Sequence, residues 1–203
     1  MSVMARVIDL DARRPEPRRR VWSDLGWIAM TDKRDAIRIY SQLGLHPILI
    51  HGITGTKACT CGRSGCAAIG KHPVQKGWSA SGLDMAALDD ALIENWRFNI
   101  GLRMGRQPSG IMLVCVDVDG PRSLLKPLET DEAFPPTLTA QTSRGLHLIY
   151  RWPEGREPPT NRAGLAPHVD VRAVGGQIVA PPSRHVSGPT YHWIDTREPA
   201  VLP

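Results

Sequence analysis

The chain has 203 residues, 41% hydrophobic and 22% charged, which is the balance of a globular protein with a packed core and excludes a disordered or fibrous class. Its 25 Lys and Arg against 20 Asp and Glu leave a net +5, a mild excess that suits a polyanionic partner without requiring one. No apolar run reaches the roughly 18–20 residues of a membrane span, and the N-terminus lacks the apolar middle of a secretory signal, so a cytoplasmic protein without membrane contact is expected.

Residues 1–24 open as "MSVMARVIDLDARRPEPRRR", rich in Arg and Pro and without a period, and read as a mobile basic arm ahead of one domain spanning 25–203. A helix is expected after Asp32, with Ala36, Ile37, Tyr40 and Leu43 on one face and Gly44 as its stop. "HPILIH" (46–51) reads as a short buried strand. A second helix fits 84–97, with Asp84 as N-cap and Met85, Leu88, Leu92 and Trp96 at helical spacing. Strands are expected over 98–103, 111–118, 137–142, 146–152, 169–173, 177–180 and 190–194, separated by Pro- and Gly-rich connections at 153–168 and 181–189. The fold class is α/β in the broad α+β sense, with two early helices and many later, mostly hairpin-connected strands.

Between the first strand and the second helix lies a long irregular insertion, 52–82, and a compact domain seldom keeps such a length unless something organises it. "ACTCGRSGCAAIGKHP" supplies Cys59, Cys61, Cys66 and His72 in the spacing C-x-C-x4-C-x5-H. Three thiolates and an imidazole complete a tetrahedral, structural Zn²⁺ site, and Gly62 and Gly65 let the backbone turn tightly around the ion. His51 is the alternative fourth ligand. Reduced thiols in a loop are the plainer reading, but cysteines are usually buried and these lie in the most polar part of the chain. Cys115, by contrast, sits in an apolar strand and is read as core.

The strand "IMLVCVDVDGP" (111–121) begins as an apolar run and ends with Asp117 and Asp119 on one face, because residues i and i+2 of a strand project together. Ionised carboxylates so close need a cation. Asp170 is a third carboxylate embedded in an apolar strand, with Arg172 two residues on. Hard oxygen ligands of this kind suit Mg²⁺ or Mn²⁺, and a third carboxylate is what a two-metal phosphoryl-transfer centre requires. In "TSRGLHLIY" (142–150), Ser143, Arg144 and Gly145 form a turn before His147, and His147 and Arg144 offer donors for phosphate oxygens.

The order of "VDVDG", "TSRGLHLIY", "VDVRAVGGQIVAPPS" and "YHW" resembles the primase–polymerase (prim-pol) group of the archaeo-eukaryotic primase superfamily. Its hydrophobic-Asp-x-Asp/Glu, small-x-His and hydrophobic-Asp motifs match Asp117 with Asp119, Gly145-Leu146-His147, and Val169-Asp170. "GKHPVQKGW" (70–78) and "WRFNIGLRMG" (96–105) match the flanking pattern of bacterial, phage and plasmid members, a subset of which carries a Cys-rich insertion ahead of G-K-H-P. The resemblance covers about residues 30–195.

It implies a prim-pol catalytic fold with an RRM-like mixed sheet and a small zinc-binding insertion. It also implies a template-dependent nucleotidyltransferase, a DNA primase/polymerase acting in replication of a phage, plasmid or other mobile element. Asp117, Asp119 and Asp170 would hold two divalent ions, with His147 beside them in the catalytic set. His147, Arg144, Ser143 and Gly145 would grip the triphosphate, with Arg172 and Lys76 as further phosphate or template contacts. The implied partners are single-stranded DNA template and nucleoside triphosphates. Family members often continue into a helicase or a helical primer-binding module, and since this chain stops at Pro203 such a module is expected in cis or in trans. A metal-dependent nuclease and a non-catalytic zinc-stabilised nucleic-acid-binding module are the competing functions.

Overall fold

The computed structural model describes residues 21–30, 32–120, 124 and 134–203. Residues 1–20 of the expected arm lie outside the described residues. Trp22, Ser23 and Asp24 open a 3₁₀ segment, Trp22–Met30, whose Leu25 and Ile28 are fully buried three residues apart, one turn of such a helix. Asp24 accepts from the Val21 N–H at 2.9 Å and caps the first turn.

Helix α1 (Lys33–Gln42) begins at Asp32, whose side chain accepts from the Asp35 N–H at 2.8 Å, and Gly44, at φ +73°, ends it as expected. It buries Ala36, Ile37, Ile39 and Tyr40. Helix α2 (Met85–Glu94) has Asp84 as its N-cap but stops three residues short of the expected end, at the C-cap Asn95. Trp96 therefore leaves the helical face and is 66% exposed. The Arg34 guanidinium joins the helices, its Nε reaching Asp89 Oδ1 at 2.6 Å.

Three strands, β1 (Pro47–Ile50), β2 (Asn99–Arg103) and β9 (Gln177–Ala180), form a small sheet in the order β1-β2-β9. The larger sheet contains β3 (Gly105–Arg106), β4 (Met112–Val118), β5 (Leu138–Gln141), β6 (Leu146–Arg151), β7 (Arg162–Ala166), β8 (Val169–Arg172) and β10 (His192–Asp195). Its order is β10-β5-β6-β4-β8-β7, with β3 paired to β4. Every named pair is antiparallel, so the mixed sheet expected from sequence gives way to two antiparallel ones. For three of these pairs the physical reason is connection length: links of two to five residues join β3 to β4, β5 to β6 and β7 to β8, too short for a parallel crossover.

Strand β4 is central and covered on both sides, which accounts for its unbroken apolar run. On one face Leu113 and Cys115 join Ile149, Leu138, α1 and the small sheet in the main core; on the other Val114, Val116 and Val118 pack with Leu146, Leu148, Tyr150 and Val169. Tyr40 ties the helical side to the sheets, donating to the Pro181 carbonyl at 2.7 Å and accepting from Trp193 Nε1 at 3.1 Å. Among the described residues no helix is long and apolar enough to cross a membrane.

Candidate active site

The face of β4 that carries Cys115 into the core carries Asp117 to its polar end. Across the sheet Asp117 is register partner to Asp170 on β8 and to His147 on β6, so three adjacent strands set Asp170, Asp117 and His147 side by side on one face. Asp119 follows one residue after β4, and its N–H donates to the His168 carbonyl in the β7–β8 turn at 2.8 Å.

Arginines thread these carboxylates. Arg172 Nη2 donates to Asp170 Oδ2 at 2.8 Å and lies 3.6 Å from Asp117 Oδ2; Arg144 Nη2 donates to Asp119 Oδ2 at 3.1 Å. Asp170 also accepts from the Gly164 N–H at 2.8 Å. His147 Nε2 stands 3.5 Å from Asp117 Oδ1, while Nδ1 is buried with no hydrogen-bond partner among the described residues. Burial pushes the His147 imidazolium below its ordinary range, against the pull of Asp117, so the ring is neutral near pH 7.

Gly145 forms the turn between β5 and β6 at closest approach to β4: a Cβ there would lie 1.7 Å from the Val118 carbonyl oxygen. Ser143 is half-buried and Arg144 exposed in the same turn. Lys76 is exposed, and the lysine of its segment whose charge acts on His147 and His185 is Lys71.

Lys71 is one of three residues near this centre that sequence reasoning passed over. The Tyr191 ring stacks near His147 at 6.0 Å between centroids and meets His185 edge-on at 6.3 Å. Burial raises the Tyr191 phenol above its usual range, and the charges of Asp117 and Asp119 add to it. Lys71 and Tyr191 lie within the "GKHP" and "YHW" segments, a usable signal, whereas His185 sits in a connection with no pattern to single it out.

The second cluster is in the insertion. The ligating atoms of Cys59, Cys61, Cys66 and His72 all lie within 4.8 Å of one another, with His72 Nε2 at 3.4 Å from Cys59 Sγ and 3.5 Å from Cys66 Sγ. His51 lies against the His72 ring, tilted, at 4.4 Å between centroids and pairs through Nδ1 with Thr60 Oγ1 at 3.1 Å, so it supports the cluster from outside. Gly62 and Gly65 take φ +73° and +70° with open space at their Cβ positions, so conformation rather than room selects glycine there.

The family described as bifunctional DNA primase/polymerase, N-terminal (Prim-Pol), matches residues 36–203. The chain belongs to this family. None of the curated proteins compared with it matches. Membership in Prim-Pol carries DNA primase/polymerase nucleotidyltransferase activity, with DNA and nucleotides as substrates and divalent metals as cofactors, and places the domain in DNA replication. The Prim-Pol match begins inside α1 and takes in both clusters, the Cys₃His group and the carboxylate face of the larger sheet.

Proposed function

We propose that this Prim-Pol domain extends a DNA strand on a single-stranded template at the face shared by Asp170, Asp117 and His147. The observation that carries the reading is their common register across β8, β4 and β6, with Asp119 and Arg144 at the rim. The donor set fits two Mg²⁺ or Mn²⁺ ions: three carboxylates are hard oxygen ligands, and the arginines drawn to them mark the site as one where positive charge is stabilised. Asp117, Asp119 and Asp170 would hold the ions, which supply a more acidic 3′-hydroxyl and neutralise charge on the triphosphate.

The chain's own residues do the positioning. Arg144 is exposed and its guanidinium presents a planar fork of donors, so it can exchange Asp119 for a phosphate oxygen and grip the triphosphate with Ser143 and the turn backbone. His147, neutral and fixed by the sheet, has its unpartnered Nδ1 to offer as a hydrogen-bond partner. Arg172 holds Asp117 and Asp170 in place from the floor and contributes charge to the nucleotide. Lys76, exposed on the insertion, is an outlying template contact in this reading. The rigid platform beneath them, β4 packed on both faces, keeps the groups in geometry, which is where most phosphoryl-transfer catalysis comes from.

The Cys₃His cluster is assigned one structural Zn²⁺, because four protein ligands leave no open position for chemistry. The Cys-rich loop ahead of "GKHP" resembles that of a subset of bacterial, phage and plasmid members, and replication of a phage, plasmid or other mobile element is the setting proposed, with a helicase or primer-binding module in cis or trans.

The test is incubation with dNTPs, Mn²⁺ and a primed template. Wild type lengthens the primer, and Asp117→Asn lowers the rate by at least about a hundredfold, since several kcal/mol of transition-state charge stabilisation go with the ions. Primer shortening without extension would replace this reading with a nuclease.

A further inference from the structure

A groove of about 320 Å³ lies beside the carboxylate face, between the zinc loop and the end of α2. Its lining includes Lys33, Lys57, Arg97 and Arg184 with His185, and among the described residues that line it there is no carboxylate. In a chain with 20 Asp and Glu against 25 Lys and Arg, a wall of one sign is a local concentration of charge rather than a reflection of the average. The groove also holds Trp96, 66% exposed, with the Arg97 guanidinium 4.8 Å from its ring centre. Cations interleaved with an accessible aromatic ring are the recognition chemistry of an unpaired nucleic-acid strand, where phosphates meet charge and bases meet a π-face.

The walls are fastened before any ligand arrives. Lys33 Nζ donates to the Trp96 and Phe98 carbonyls at 3.1 and 2.5 Å, fixing the chain that bears the indole. Gly52 leaves no room between the zinc loop and that chain, since a Cβ there would sit 1.5 Å from the Arg97 carbonyl oxygen. Asn99 clamps the other wall, donating to the Gly70 and Arg184 carbonyls and accepting from the Arg184 N–H. Through His185 the groove lining is linked to the centre: His185 meets Tyr191, whose ring stacks near His147, and His185 lies within electrostatic reach of Asp119, Arg144 and Lys71.

We infer that single-stranded DNA enters the domain along this groove, a base stacking on Trp96 and its phosphates held by Lys57, Arg97 and Arg184, on its way past His185 to the carboxylate face. The identity of that strand as template rests on the polymerase reading; the binding itself does not.

The experiment is fluorescence anisotropy of a short labelled oligothymidylate titrated with the full chain across a salt series. Trp96→Ala is expected to weaken binding roughly tenfold, the scale of a single base stack. Lys57→Glu with Arg184→Glu is expected to weaken it further and to flatten the plot of log affinity against log salt by roughly 0.7 for each phosphate no longer neutralised. All three side chains are exposed, so thermal melting stays at the wild-type value and a folding defect is separable. Wild-type affinity and salt slope in the variants overturn the groove, as does equal competition by duplex DNA, whose bases cannot stack on the indole. A wild type that extends primers while the variants bind normally removes this inference and leaves the polymerase; Trp96-dependent binding without any primer extension does the reverse.

Discussion

Gly145 shows how much of the site hangs on one missing methyl group. Its φ is not in the left-handed region, so the requirement is space: the Val118 carbonyl and the Gly120 N–H would lie 1.7 and 2.9 Å from an added Cβ. That close approach is what brings the turn carrying Arg144 against the end of β4 carrying Asp119. The turn is otherwise self-contained, with Thr142 N–H donating to the Gly145 carbonyl and Gly145 N–H to Thr142 Oγ1, both at 2.9 Å, so it can move as a unit. Gly145→Ala is therefore expected to part Arg144 from Asp119, raising the nucleotide KM while costing roughly 1–3 kcal/mol of stability, the range of other overpacking changes. Urea melts and steady-state incorporation check it together. A KM equal to wild type with the stability loss present would detach the turn from nucleotide binding.

At the scale of elements, the insertion that carries the Cys₃His cluster is the longest described stretch without regular structure. From 51 to 84 it contains no named helix or strand, only turns and isolated bridges such as Ile53 with Cys59 and Ile50 with Pro73, so scattered turn hydrogen bonds rather than a regular ladder oppose its chain entropy. Chelation under reducing conditions is expected to free one equivalent of zinc and to raise protease sensitivity and amide exchange across 52–82. The carboxylate sheet, with its own core, should keep its exchange protection. Metal analysis finding no zinc, or uniform exchange changes over the whole chain, would contradict the assignment. The same elements mark what could be read from sequence. Strands with an apolar run or alternation were legible: β1, β2, β4, β5, β6, β8, β9 and β10 all fall within one or two residues of their expected bounds. β7 was not, because it lies at an edge with four of its five residues exposed, leaving no apolar pattern in "RAGLA". Asp117, Asp119, Asp170, His147 and Arg144 were legible because each sits at a fixed place on a readable strand or turn. His185 was not, since it lies in a connection without a pattern and only the folding of distant segments brings it to the centre that Lys71 also reaches, as in the 106-residue separation closed by Gln177 Nε2 donating to the Lys71 carbonyl.

Over the whole molecule, burial of ionisable groups gives stability a definite dependence on pH. His46 is the clearest case, away from both clusters: it is 3% exposed, and burial, with the Arg103 charge second, lowers its pKa to about 4 from the ordinary 6.5. The native state thus keeps His46 neutral down to about pH 4, whereas the unfolded chain binds a proton below 6.5. Protons taken up by the unfolded state favour unfolding, so stability is complete above 6.5 and falls as the pH drops toward 4. The loss from this residue reaches at most about 3 kcal/mol. At the alkaline end Lys33, lowered to about 8 chiefly by burial, adds stability as pH climbs from 8 toward 10.5, while the buried Tyr40 phenol and Cys115 thiol, pushed up by burial, act in the opposite sense. The acid limb is therefore the cleaner test. Denaturant midpoints measured from about pH 4 to 7 should climb through that window for wild type and climb less for His46→Gln, whose amide has no proton to gain. Parallel slopes for the two proteins would show that His46 titrates alike in the folded and unfolded chains and that its burial carries no penalty.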